Sequence, residues 1–195
     1  ELKQTNSYEI LFHHRQPTST DNVLNACHPF IVEGIKSKHK YIVVHNGMIF
    51  NDDALKAKHD KMGYKYKSIQ KDGRFNDSET LAFEIMLAIE NKDWKNFEAQ
   101  GMIAFICQEV DENNKPINLY YARNDEAPLH IRNNGKTIQI ASELNGEMIE
   151  PNKLFKYNYR SKKFTEKKIL IQGYSYTYSY HSGTTSWDDD GYEMR

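Results

Sequence analysis

No apolar stretch free of charge is long enough to span a bilayer anywhere in the 195 residues, so a transmembrane helix is not expected. No secretory leader stands at the start as given. Cysteine is scarce, with only Cys27 and Cys107. Two thiols do not make a disulfide framework and fit a reducing compartment, so a cytoplasmic protein is expected. An excess of charge of one sign is also lacking. The 26 Lys and Arg stand against 27 Asp and Glu, a formal net charge of −1. That balance leaves no overall electrostatic footprint for nucleic acid or an anionic membrane, and neither is expected as a partner. There is no internal repeat. Asn, Lys and Tyr are plentiful, a bias that fits an AT-rich genome, such as a phage or low-GC bacterium, and carries no mechanism. The chain begins at Glu1 rather than Met, so a segment upstream, removed or not included, is expected. The length suffices for one domain with a buried core.

Local patterns place helices in the first half and strands mainly in the second. Tyr8 to His13 reads as a strand entering a loop that runs from Arg15 to Pro29. Lys40 to Val44 reads as a short buried strand that ends at a turn, His45-Asn46-Gly47. Asn51 to Met62 reads as a helix stopped by Gly63. Asn76 with Glu79 three residues on gives a capping-box pattern, and Leu81, Ile85, Ala88 and Ile89 follow at helical spacing. A short helix is expected over Trp94 to Ala99. Strands follow at Met102 to Val110 and Asn118 to Arg123. A hairpin comes next, Leu129 to Arg132 with Thr137 to Ala141, turning at Asn134-Gly135. Leu154 to Tyr159 and Lys163 to Leu170 read as another. Residues 173–195 are rich in Tyr, Ser, Thr and Asp without buried periodicity, and read as a tail or partner-binding arm. The pattern indicates an α+β fold with helices covering antiparallel sheet faces.

Several polar groups stand out, each with an ordinary reading beside a chemical one. Arg15 and Asp77 could be surface charges, and Asp77 sits in a helix first turn where the dipole favours a carboxylate regardless of function. Asn46-Gly47 could simply turn the chain. His13, His14, His28 and His45 have no recognised metal-ligand spacing, so structural or substrate-lining roles are expected and no metal is. Cys107 lies in an apolar strand and reads as core. Cys27 falls in the polar loop as a candidate reactive thiol.

Four segments in order carry a resemblance. They are His13-His14-Arg15-Gln16-Pro17-Thr18, Asn25-Ala26-Cys27-His28-Pro29, the run from Tyr41 through Val44-His45-Asn46-Gly47 to Asn51, and Asn76-Asp77-Ser78-Glu79. Gly101 to Phe105, Ala122-Arg123, Ala127-Pro128-Leu129 and Ile140-Ala141-Ser142-Glu143 follow in the same order. From Tyr8 to Ile169 the chain resembles a class II glutamine amidotransferase domain of the N-terminal-nucleophile hydrolase type, most similar to the glutaminase domain of glucosamine-6-phosphate synthases. The resemblance implies an αββα sandwich of antiparallel sheets over residues 1–172, open to being incomplete at its N-terminal strand, and no cofactor.

The resemblance also implies the chemistry. Such domains release ammonia from glutamine with an N-terminal cysteine, whose thiolate attacks the amide and whose α-amino group is the base. Arg15 would bind the substrate carboxylate through its planar fork, and Thr18 would add a contact there. Asp77 would bind the α-ammonium. The Asn46 side chain and the Gly47 N–H would form the oxyanion hole. The family's aromatic residue after the motif arginine is replaced by Gln16. The cysteine start is absent from this chain, so the chain alone is expected not to hydrolyse glutamine, and Cys27 lacks the α-amino base needed to substitute. Three readings stay open: a glutaminase completed by an upstream cysteine that feeds an ammonia-accepting domain or protein, a non-catalytic binding or assembly module, and an amidase for another amide. Arg15, Asp77, Asn46 and Gly47 together favour glutamine over the last and do not separate the first two.

Overall fold

The computed structural model describes residues 11, 13, 21 and 23–173. In chain order its elements are β1 (Phe30–Glu33), β2 (Lys40–Ile49), α1 (Asp52–Lys61), α2 (Asp77–Glu90), β3 (Gly101–Val110), β4 (Pro116–Arg123), β5 (His130–Asn133), β6 (Ile138–Ala141), β7 (Glu147–Met148), β8 (Lys153–Asn158) and β9 (Lys163–Lys168). A six-stranded antiparallel sheet runs β1-β2-β3-β4-β8-β9, and a three-stranded one runs β6-β5-β7.

Strand alternation sorts the larger sheet's side chains between two cores. Tyr41, Val43, Ile103, Phe105, Cys107, Tyr120 and Ala122 face the helices and pack with Leu55 of α1 and with Leu81, Ile85 and Met86 of α2. Ala104 and Tyr121 face the other way and pack with Ala127, Leu129 and Ile149, joined by Ile131 and Ile140 of the small sheet. The layers are therefore helices, six-stranded sheet and three-stranded sheet, the α+β class with stacked antiparallel sheets that the sequence indicates. No helix of the described residues is long and apolar enough to cross a membrane.

The structure corrects three local expectations and adds two short strands. Asn46-Gly47 does not turn the chain: β2 continues to Ile49 and pairs with β3 over ten residues, from Lys40 opposite Val110 to Ile49 opposite Gly101. Gly47 and Gly101 make this possible, with φ of 137° and 145°. A Cβ on Gly47 would overlap the Met102 carbonyl oxygen, and one on Gly101 the Met48 carbonyl oxygen. Paired glycines thus bring two backbones closer than other residues allow.

Trp94 to Ala99 is not a helix. Trp94 and Phe97 are both buried, with the Trp94 ring parallel to Phe105 at 6.1 Å. The backbone is held by carboxylates instead: Lys95 N donates to Asp93, and Glu98 N to Glu84. Asn76 caps α2 by accepting from Ser78 N at 2.9 Å, but Glu79 does not close the capping box. Its carboxylate takes Lys67 N and Ser68 N, and Asn76 N turns to Ser68 Oγ. Strands β1 and β7 are new relative to the sequence reading, four and two residues long, too short for a periodic signal. The strand read at Tyr8 to His13 and the tail read from residue 173 lie outside the described residues, apart from Leu11, His13 and Gly173.

Candidate active site

At one end of β2 the chain reaches the first turn of α2, and a cavity of about 780 Å³ opens there. Asn46, Gly47 and Asp77 all border it, as do His13, His28, His45 and Ser78. Ile140 to Glu143, the end of β6 and the two residues after it, also line it. Residues some thirty positions apart in sequence are brought together because α2 packs across β1 and β2. Arg15 and Thr18 lie outside the described residues, as does His14.

The hydrogen-bond alternation of β2 gives this end its polarity. Ile103, opposite Gly47, uses its N–H and C=O on Asn124, on the β4 side of β3. In an antiparallel ladder that makes Gly47 and Ile103 a non-hydrogen-bonded pair, so the Gly47 N–H points away from β3. The same phase holds for its neighbours. The His45 C=O accepts from His13 Nε2 at 3.2 Å, and Ile49 N–H donates to Asp77 Oδ2 at 2.8 Å. Strand β1 ends opposite Val43, so among the described residues no strand covers β2 beyond that point. The Gly47 N–H therefore lies on an edge flanked by the His13 contact and the Asp77 carboxylate. Asn46, Gly47 and Met48 are the exposed residues of this strand, the others being buried or half-buried.

Beneath this edge lies His45, 3% exposed. Its Nε2 is 3.1 Å from the Met102 carbonyl oxygen and its Nδ1 is 3.0 Å from Ser78 Oγ. A carbonyl only accepts, so Nε2 carries the proton and Nδ1 accepts from the Ser78 hydroxyl. Burial holds the imidazole below its ordinary 6.5, against an upward pull from Asp77 and from the Met102 hydrogen bond. His45 is therefore neutral near pH 7.

The other sequence candidates sort by their partners. His13 and His28 lie against each other with ring centroids 3.9 Å apart and the planes tilted by 31°. Among the described residues no group of three or more His, Cys, Asp or Glu is placed to hold a metal. Cys27 is outside the cavity wall, its thiol 3.2 Å from the Val23 carbonyl oxygen. Cys107 is a core residue with its thiol pushed up by burial. Arg123, in the Ala122-Arg123 motif, spends its guanidinium on the carbonyls of Ile149, Asn124 and Ala127, fixing the connection into the small sheet. Sequence reasoning missed Asn124, whose amide bridges Gly101 O and Ile103 N. Only its place directly after a matched motif could have drawn attention to it.

Comparison with known proteins gives the following. A family model described as a glutamine amidotransferase domain matches residues 18–146, more than half of the chain. Among solved structures, the allosteric regulatory enzyme of purine biosynthesis is similar at 16% identity over 76% of this chain and 32% of that one, with a TM-score of 0.49. Glutamine phosphoribosylpyrophosphate amidotransferase from B. subtilis, solved with ADP and GMP, is similar at 16% identity over 76% of this chain and 33% of that one, with a TM-score of 0.48. A glutamine aminotransferase class-II domain protein from Silicibacter pomeroyi gives 13%, 76% and 73%, with a TM-score of 0.47. The chain spans about a third of the first two structures. The search of curated proteins gives no match.

Proposed function

Since the chain belongs to the glutamine amidotransferase domain family, we propose that its cavity binds glutamine and serves a class II reaction once an N-terminal cysteine is supplied. The observation that carries this reading is the meeting of Asn46, Gly47 and Asp77 on one cavity. Glutamine is a zwitterion with an amide at the far end, so its site needs an anion, a cation and oxyanion donors at fixed separations. Asp77 meets the α-ammonium, Arg15 pairs with the carboxylate and Thr18 adds a contact beside it. The Asn46 side-chain amide and the Gly47 N–H receive the amide oxygen.

In the proposed reaction the cysteine thiolate adds to the side-chain amide carbon. The oxyanion rests on Asn46 and Gly47, the C–N bond breaks, and ammonia leaves with a proton from the cysteine's α-ammonium. Water then cleaves the thioester to glutamate. The ammonia passes to an accepting domain or protein, and residues 173–195, as a segment apart from the domain of residues 1–172, are a candidate arm for contacting it. The polypeptide that begins at Glu1 has no cysteine at its first residue, so it is expected to bind glutamine without hydrolysing it.

Calorimetry with L-glutamine tests this reading. Residues 1–195 should bind weakly, and Arg15→Ala should cost about 1.5–3 kcal/mol, the loss of a charged hydrogen bond, or about tenfold to hundredfold in affinity. Equal affinity of the two proteins would remove Arg15 from the site. Ammonia release by this polypeptide would overturn the need for an N-terminal cysteine, and Cys27→Ala would then show whether the internal thiol had taken its place.

A further inference from the structure

Resting on the glutamine reading, we propose that His45 is a positioning residue that sets the spacing between the oxyanion donors at Asn46 and Gly47 and the ammonium-binding carboxylate at Asp77. The residue sits immediately before Asn46 in β2, and its ring makes two contacts to two different elements. Nε2–H donates to the Met102 carbonyl of β3 at 3.1 Å, and Nδ1 accepts from Ser78 Oγ in the first turn of α2 at 3.0 Å. Ser78 adjoins Asp77, so the imidazole is a strut from the strand that bears Asn46 and Gly47 to the helix that bears the carboxylate.

The Met102 carbonyl is also the group against which Gly47 packs, since a Cβ on Gly47 would overlap it and would lie 3.0 Å from His45 Nε2. The ring thus holds the backbone carbonyl that packs directly against Gly47. The main-chain carbonyl of His45 in turn takes His13 Nε2 at 3.2 Å.

Three features exclude other work for this side chain. Both ring nitrogens are engaged, so neither is free to take a proton from a ligand. The ring is buried, which keeps it neutral. Its contacts are a main-chain carbonyl and a hydroxyl, a set that orients a ring rather than relaying charge. A core histidine with satisfied hydrogen bonds would look similar in isolation. What sets His45 apart is that each partner adjoins or supports a group assigned to the ligand.

Two ligands separate positioning from simple stability. L-Norvaline carries the α-ammonium and carboxylate of glutamine but no side-chain amide, so it reads the charge clamps alone. Glutamine reads the clamps and the oxyanion donors at once. Calorimetry on residues 1–195 would measure both ligands in the unmodified chain, in Ser78→Ala and in His45→Gln. Ser78→Ala removes the Nδ1 partner with little loss of volume and keeps the fold testable if His45→Gln does not fold. Positioning predicts that the preference for glutamine over norvaline falls about tenfold in Ser78→Ala, the scale of one lost hydrogen bond, and by at least as much in folded His45→Gln. An unchanged preference in Ser78→Ala would overturn the proposal while leaving the glutamine reading intact. Failure of the unmodified chain to bind glutamine would overturn the glutamine reading, and the proposal with it.

Discussion

Single side chains and atoms decide this site, and Gly47 is the most sensitive of them. Its φ of 137° and the Met102 carbonyl behind it leave no room for a Cβ. Gly47→Ala should cost at least about 1–3 kcal/mol from backbone strain alone, seen as a lower urea midpoint, and should abolish glutamine binding. His45 makes a pH prediction with a definite sign. Its folded value lies below the ordinary 6.5 because it is buried, so the folded state binds fewer protons than the unfolded chain as pH falls. Stability should therefore decline as pH drops below 6.5, until the folded histidine titrates as well. Urea unfolding at pH 7.5 and 5.5 should show a smaller difference in His45→Gln than in the unmodified chain. Asn46, Gly47 and Asp77 were legible in the sequence as candidates because each belongs to a motif of the resemblance, and the structure places all three on one cavity. His45 was legible as a structural or substrate-lining histidine, but its two partners were not, since Met102 and Ser78 lie 57 and 33 positions away.

Helices and strands add their own tests. Asn76 caps α2 and also donates from Nδ2 to the Ala26 carbonyl at 3.0 Å, with its side chain buried. Asn76→Ala should therefore lose the cap, about 0.5–2 kcal/mol, and also leave a buried carbonyl without its donor, about 1–3 kcal/mol. A thermal melt would show the combined loss. Helix α1 is tied to α2 by a buried chain of contacts in which Tyr66 Oη meets His59 Nδ1 at 2.7 Å and His59 Nε2 meets Glu84 at 2.8 Å. Lys58 joins the same carboxylate at 3.0 Å. Burial pushes the Glu84 carboxyl up, but His59, Lys58 and the Glu98 N–H outweigh it and hold it below 4.5. That contribution is present above the unfolded value and is lost as pH falls below it. Glu84→Gln should flatten the loss of stability that the linkage produces as pH falls below 4.5, measured by urea midpoints. Element type was readable where the pattern was long, as in α2 and β3, and at the β5–β6 hairpin, whose four-residue strands were marked by the Asn134-Gly135 turn. It failed at Trp94 to Ala99, where two aromatics at helical spacing are drawn into the core of a non-helical loop. It failed again at Asn46-Gly47, where a dipeptide common in turns serves instead to press two strands together.

The molecule as a whole is a layered scaffold that carries α2 against β2, and the cavity exists because their ends meet. Order of motifs conveyed this architecture better than periodicity did. Residues that share the cavity wall, such as Gly47 and Ser142, are far apart in sequence, and no local pattern can bring them together. The claim that this cavity is a glutamine site is tested most directly by following backbone and side-chain amide resonances in residues 1–195 during titration with L-glutamine. The account predicts the largest shifts at the Gly47 N–H and the Asn46 side-chain amide, with Ile49 N–H moving as its Asp77 partner engages the ligand. Shifts confined to residues away from β2 and α2, or none at saturating glutamine, would contradict it.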